Sequence, residues 1–112
     1  MGGPSSTPEE RFAMIVEEFL GDQDVTPPQG TGFGSLGLKV KGHIFAMLSS
    51  KGEFVVKLPR QRVDALVTAG RGQRFDPGHG RLMREWATVD VTFATEWLPL
   101  AKEARMFVAS KG

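Results

Sequence analysis

The sequence lacks several features that would narrow the function at once. It contains no cysteine, which excludes a disulfide framework, a thiolate metal site and a cysteine nucleophile, and which fits a reducing cytoplasm. No apolar run approaches the about 18 residues that span a bilayer, and residues 1–8 have no pattern of a secretory signal. The formal net charge is only +1, so the whole molecule has no strong general attraction to nucleic acid or to acidic membranes.

What is present is typical of a single globular domain. The chain has 112 residues, of which 40% are hydrophobic and 24% charged, and this is enough to bury one core. We therefore predict one domain over residues 9–110 after a flexible N-terminal segment, residues 1–8. The first six residues fit the loose N-myristoylation pattern, but a flexible lead-in rich in Gly, Pro and Ser, or a cloning remnant, explains them better.

Apolar residues three and four positions apart predict three helices. The first is expected to begin after Thr7 as N-cap and to end at Gly21. The second is expected to run from Pro59 to Gly70, where glycine favours a left-handed C-cap. The third is expected to follow Thr95 as its N-cap. The apolar stripes comprise Phe12, Ile15, Val16, Phe19, Val63, Leu66, Val67, Trp97, Leu100, Ala101, Ala104, Phe107 and Val108.

Alternation of apolar and polar residues predicts five strands, at residues 36–40, 43–48, 54–58, 73–75 and 82–89. Lys41 and Gly42 would form a two-residue hairpin turn, and residues 21–34 would form a long loop. Strict alternation places Phe45 and Met47 on the face of the preceding strand's leucines. The opposite face would then hold Lys39, Ile44, Ala46 and Leu48 and would need to be covered by a helix or by another subunit.

The predicted architecture is therefore α+β: an antiparallel sheet of about five strands with flanking helices, in the order α-β-β-β-α-β-β-α. Both tryptophans, Trp86 and Trp97, are expected to be at least partly buried.

Three short patterns could carry chemistry, and each has a simpler explanation. Gly32–Gly37 fits G-x-G-x-x-G, but no strand precedes it and a strand follows it, so glycines that lead a loop into a strand explain it better. His43 and His79 lack the converging ligands of a metal site. Asp76, His79 and Glu85 could act as acids or bases, but no nucleophile motif accompanies them, and Glu85 is expected in an ion pair. We predict no catalytic residue, no cofactor and no metal.

Positive charge is concentrated in the middle of the chain. Residues 35–87 contain ten Lys and Arg against four acids, whereas residues 1–34 contain one Arg against six acids. The basic residues fall in or beside two predicted hairpins, which could contact DNA phosphates or could simply solvate exposed strand edges. Strand alternation cannot place all of them on one surface. The candidate DNA contacts are Lys39, Lys41, Lys51, Lys57, Arg71, Arg74, Arg81 and Arg84.

The acidic residues bracket the first predicted helix. They could attract a cation or a basic partner, but a solvated helix face with carboxylates near its N-terminus explains most of them. These residues are Glu9, Glu10, Glu17, Glu18, Asp22 and Asp24.

Three segments together resemble the MmcQ/YjbR family. They are residues 42–48 (GHIFAML), residues 56–66 (VKLP followed by RVDAL) and residues 75–86 (FDPGHGRLMREW). The G-x-x-M-x-E-W run that ends at Trp86 is the most specific part, and the similarity covers roughly residues 12–108. Residues 33–58 are also distantly similar to the N-terminal domain of the TfoX competence regulators. Leu82 stands where members of the family often have proline.

The resemblance implies an α+β fold of the frataxin/CyaY-like type, described as a double-wing DNA-binding domain. It implies no catalytic residue, and its motif positions that could contact a phosphate are Lys57, Arg81 and Arg84. Met83 and Trp86 are expected to be packing residues. Two hypotheses follow: a non-catalytic DNA-binding or regulatory module that binds double-stranded DNA through basic hairpins, or a protein or metal-ion interaction domain that uses the acidic first helix.

Overall fold

The computed structural model describes residues 7–28, 37–49, 51–76 and 83–111. These residues form an α+β structure with an antiparallel sheet, which confirms the predicted class. The helices are α1 (Pro8–Glu18), α2 (Arg60–Thr68) and α3 (Trp97–Lys111), with a 3-10 helix (Val91–Glu96) leading into α3. The strands are β1 (Val25–Thr26), β2 (Leu38–Val40), β3 (His43–Leu48), β4 (Phe54–Lys57), β5 (Gln73–Phe75) and β6 (Met83–Val89).

The described strands form one sheet in the order β1-β2-β3-β4-β6-β5, and every neighbouring pair is antiparallel. The strand beyond the predicted five is β1, in which Val25 pairs with Val40 inside the segment expected to be a loop. A two-residue strand is too short for alternation to reveal it. The second hairpin is confirmed, with β6 beside β4 and β5 at the edge of the sheet.

The N-terminus of α1 agrees with the sequence prediction, and the N-terminus of α3 differs from it. The Thr7 hydroxyl accepts a hydrogen bond from the Glu10 amide at 3.1 Å, and the Glu10 carboxylate accepts one from the Thr7 amide at 3.0 Å. The predicted Thr95 cap is wrong. Thr95 lies inside the 3-10 helix, and Asp90 is the cap, because its carboxylate accepts from the Thr92 amide at 2.9 Å directly after β6. At the first helix, α1 ends at Glu18, before Gly21.

The turn between β2 and β3 is the predicted two-residue turn. Lys41 and Gly42 have φ angles of 55° and 83°, both in the left-handed region that type I′ hairpin turns require. A bulge follows, because Leu38 pairs with Ala46 and leaves Phe45 without a separate partner. Because of this bulge, the predicted assignment of the β3 side chains to the two faces of the sheet is wrong after Phe45. Phe45 and Ala46 both lie in the core, and Met47 pairs with Val55 on the other face.

All three helices pack on one face of the sheet, around Phe54. The Phe54 ring stacks on Trp97 with centroids 5.0 Å apart, and Phe12 of α1 lies 6.2 Å from it. Helix α2 adds Val63 and Leu66 to the same core. Trp97 is fully buried and Trp86 is half-buried, so the prediction for both tryptophans is confirmed. None of the described helices is long and apolar enough to cross a membrane.

The opposite face of the sheet, which we call the second face, carries the side chains that alternate with this core. Cross-strand pairs place Lys39 beside Ile44 and Lys57 beside Trp86. None of these four residues belongs to the helix-side core. The second face therefore carries basic side chains of the strands.

Candidate nucleic-acid interface

One end of the sheet brings together basic residues that are distant along the chain. Because β3, β4 and β6 alternate in direction, the start of β3, the end of β4 and the start of β6 lie at the same end. The C-terminal end of α3 reaches this end too, since the Lys41 ammonium donates to the Ala109 carbonyl at 3.2 Å. We call this group the basic end; it comprises Lys39, Lys41, Lys57, Arg84 and Lys111.

The basic end contains a cleft of about 610 Å³ between the β2–β3 turn and the end of α3. This volume lies within the range of about 300 to 1,000 Å³ that is usual for ligand sites. Three lysines contribute positive charge, and Trp86, Ile44 and Val108 contribute apolar surface. The lining residues are Lys39, Gly42, His43, Ile44, Lys57, Trp86, Val108 and Lys111.

Positive charge exceeds negative charge around this cleft. The Glu85 Oε1 atom lies 3.7 Å from the Lys57 ammonium and 3.3 Å from the Lys111 ammonium, so one carboxylate serves two lysines. This confirms the prediction that Glu85 belongs to an ion pair. Within the described part of the chain, Lys39 and Arg84 have no carboxylate partner. The Lys57 ammonium also lies 5.3 Å from the centroid of the Trp86 ring, a cation–π contact.

The eight predicted contacts do not form one surface. Half of them lie at the basic end, whereas Lys51 lies in the β3–β4 turn and Arg71 before β5, both at the opposite end of the sheet. Arg74 bonds to Asp64 of α2, which places it on the helix side of the edge strand. Arg81 lies outside the described residues. The half at the basic end is Lys39, Lys41, Lys57 and Arg84.

Arg71 and Arg74 have structural partners of their own. Arg71 pairs with Glu96 of the 3-10 helix and lies 5.9 Å from the centroid of the Phe93 ring. Each of the two arginines therefore joins a strand segment to a neighbouring helical one. Their charges are already compensated, which makes them poorer candidates for phosphate contacts than the lysines of the basic end.

Lys111 is the basic residue that sequence reasoning missed. It lies in the last turn of α3, where a cation is favoured by the helix dipole alone, so its position in the sequence gave no sign of a binding role. Only the packing of α3 against the sheet brings it within reach of Glu85 and the cleft.

The acidic region around α1 is partly neutralised. The Arg105 guanidinium donates to Asp22 at 2.8 and 3.1 Å and to Asp24 at 3.3 Å. These bonds from Arg105, together with the Asp24 amide, lower the pKa of the Asp22 carboxyl. Among the described residues, no three histidine or acidic side chains converge as metal ligands do.

The remaining chemical patterns fall partly outside the described residues. His79 lies there, as does most of the glycine pattern at residues 32–37. The last glycine, Gly37, leads directly into β2 and packs against Ile44, which agrees with a structural role. His43 is exposed at the start of β3 and lines the cleft.

No protein-family model, curated protein or solved structure matches the chain. The resemblance to the MmcQ/YjbR family therefore stays an expectation drawn from the sequence.

Proposed function

We propose that this protein is a non-catalytic nucleic-acid-binding or regulatory module that binds double-stranded DNA through the basic end. The observation that carries the proposal is the gathering of five cationic side chains at one end of the sheet, where Glu85 pairs with two of them, Lys57 and Lys111. The resemblance to the MmcQ/YjbR family, with its double-wing DNA-binding description, supports the same function. A cytoplasmic location belongs to this proposal and fits a chain without cysteine.

The binding is mainly electrostatic. Lysines and arginines that neutralise phosphates release condensed counterions, so affinity falls as salt rises. With about four phosphates contacted, the slope of log affinity against log salt is roughly −4. Contacts of this kind position the protein on the backbone and carry no base information, so different duplex sequences bind similarly.

The hypothesis that the acidic first helix binds a metal ion or a basic partner has less support. Two of its six acids, Asp22 and Asp24, already bond to Arg105, and a third, Glu10, caps α1. The remaining glutamates, Glu9, Glu17 and Glu18, are exposed on one short helix.

The test is a fluorescence anisotropy titration with labelled duplex DNA at about 50 and 200 mM salt, a step over which about four phosphate contacts change affinity on the order of a hundredfold. The double variant Lys39→Ala/Arg84→Ala removes from the basic end two charges that have no carboxylate partner among the described residues. It is expected to weaken binding to all duplexes and to flatten the salt slope by about two units.

The matched control is Lys51→Ala/Lys102→Ala, which removes the same net charge from two exposed lysines that line no part of the cleft. This control is expected to bind almost like the unmodified protein. Equal losses in both variants, or no binding even at low salt, would overturn the proposal.

A further inference from the structure

The cleft at the basic end has two kinds of lining, and a surface that binds only phosphate needs just the first of them. Lys39, Lys57 and Lys111 contribute ammonium groups to the lining. The half-buried Trp86 ring and the side chain of Ile44 contribute apolar surface. A ligand that matches both is an anion attached to a flat, weakly polar ring.

The contact between Lys57 and Trp86 sets the spacing of the two functions. The ammonium lies over the indole ring, 5.3 Å from its centroid, so a base that stacks on Trp86 displaces the ammonium from the ring face and leaves it beside the attached phosphate. Lys111 approaches the same place from α3, because both lysines share the Oε1 atom of Glu85. An incoming phosphate would replace the Glu85 carboxylate as the partner of these two cations.

We propose that this cleft binds one unpaired nucleotide, with the base against Trp86 and the phosphate among Lys39, Lys57 and Lys111. The proposal rests on the proposed function, since it assigns a role to the cleft within the DNA-binding surface. A base inside a duplex has both faces covered by its neighbours, whereas an unpaired base can stack on an aromatic side chain. The cleft therefore favours single-stranded over double-stranded DNA.

The chemistry is shared by a free nucleotide and by a nucleotide within a single strand, and the experiment separates them. The probes are thymidine monophosphate, an oligothymidine strand, a blunt duplex and inorganic phosphate. The protein has two tryptophans, and Trp97 is fully buried, so ligand-dependent quenching of fluorescence reports Trp86. Quenching is expected with the two thymidine ligands and not with inorganic phosphate.

The decisive variant is Trp86→Ala, which is expected to lose on the order of tenfold in affinity for the oligothymidine strand and little for the duplex. Trp86→Phe keeps an aromatic ring and is expected to retain most of the affinity. The control Phe93→Ala removes an aromatic ring that also lies under a cation, Arg71, at the opposite end of the sheet. It is expected to leave strand binding unchanged.

Quenching by thymidine monophosphate alone would identify a free nucleotide as the ligand, and quenching by both thymidine ligands would identify the nucleotide of a strand as well. Equal strand affinity for Trp86→Ala and the unmodified protein would overturn the inference. In that case duplex binding and its salt slope would be unaffected, whereas failure of the proposed function would abolish duplex binding itself.

Discussion

The two ends of the sheet use positive charge in different ways. At the basic end, Lys57 and Lys111 share the single carboxylate of Glu85, and Lys39 has no acidic partner within the described chain. Toward the opposite end and along the β5 edge, Arg71 and Arg74 each have a carboxylate of their own. Within the described residues, the basic side chains of one end therefore share or lack a carboxylate partner, whereas Arg71 and Arg74 each have one.

The chemistry of the two side chains explains this difference. A planar guanidinium can bind a carboxylate through two parallel hydrogen bonds, and Arg62 does so with Glu103 at 2.9 and 3.1 Å, which joins α2 to α3. Arg105 joins α3 to the segment after α1 in the same manner. Lysine is a mobile point charge, which makes it less suited to hold two elements together and well suited to meet a phosphate. The comparison indicates that the arginines with carboxylates of their own stabilise the fold, and it agrees with the proposal that the lysines of the basic end, together with Arg84, serve binding.

Removing one arginine and one lysine tests this difference most directly. Arg105→Ala is expected to lower the thermal midpoint by several degrees, because Arg105 and Asp22 are only 24% and 27% exposed and the arginine holds two aspartates. Lys39→Ala is expected to leave the midpoint almost unchanged, since Lys39 has no ion pair within the described chain. Thermal unfolding followed by circular dichroism measures both. Equal destabilisation by the two variants would show that the division between arginines and lysines is wrong.

The pH dependence of stability tests the ion pair between Arg105 and Asp22 separately. Hydrogen bonds from Arg105 lower the pKa of Asp22 in the folded state below its ordinary value near 3.8. Asp22 therefore contributes stability above the unfolded pKa, and this contribution is lost as the pH falls through the folded pKa. Unfolding by denaturant between pH 7 and pH 2 is expected to show a steeper acid loss for the unmodified protein than for Asp22→Asn. Parallel curves for the two proteins would contradict this.

Parts of the fold were predictable because the signals are local. The cap at Thr7, the turn at Lys41-Gly42 and the left-handed Gly70, whose φ is 74°, each depend on a few neighbouring residues. The bulge at Phe45 was not predictable, because two consecutive apolar residues fit either face until the partner strand selects a register. The cap at Asp90 was missed because the 3-10 helix before α3 has no clear periodicity.

The candidate site was predictable only as a set of residue types. Charge counting found Lys39, Lys57 and Arg84, but it could not separate them from Arg71 and Arg74, whose ion pairs depend on the packing of helical segments against strands. Lys111 was missed for the same reason, since α3 brings it to the cleft from far along the chain. The role of a charged side chain depends on its ion-pair partners, and the tertiary structure determines which partners it has.

A smaller effect is expected when the carboxylate beside the lysines of the basic end is removed. Glu85→Gln removes the carboxylate that Lys57 and Lys111 share and leaves a side chain of similar shape. Affinity for duplex DNA is expected to rise roughly threefold to tenfold, because two cations are freed for phosphates and one repulsive charge is lost. Anisotropy titration at one salt concentration measures it. The control Glu9→Gln removes an exposed carboxylate on α1, which should change affinity much less.

The smallest effect is expected at Lys41, which has both a structural role and a place in the basic end. Its ammonium bonds to the Ala109 carbonyl, so it holds the end of α3, and it also adds charge to the basic end. Lys41→Asn creates the Asn-Gly sequence that type I′ turns prefer, at a position where φ is 55°. The better turn is expected to offset the lost hydrogen bond and keep the free energy of unfolding within about 0.5 kcal/mol. Affinity for duplex DNA is expected to fall about twofold, with a salt slope flatter by less than one unit.

Lys41→Gln removes the same charge without improving the turn, so it should match the affinity of Lys41→Asn and be less stable. If Lys41→Asn instead bound DNA like the unmodified protein, Lys41 would belong with the arginines as a structural residue.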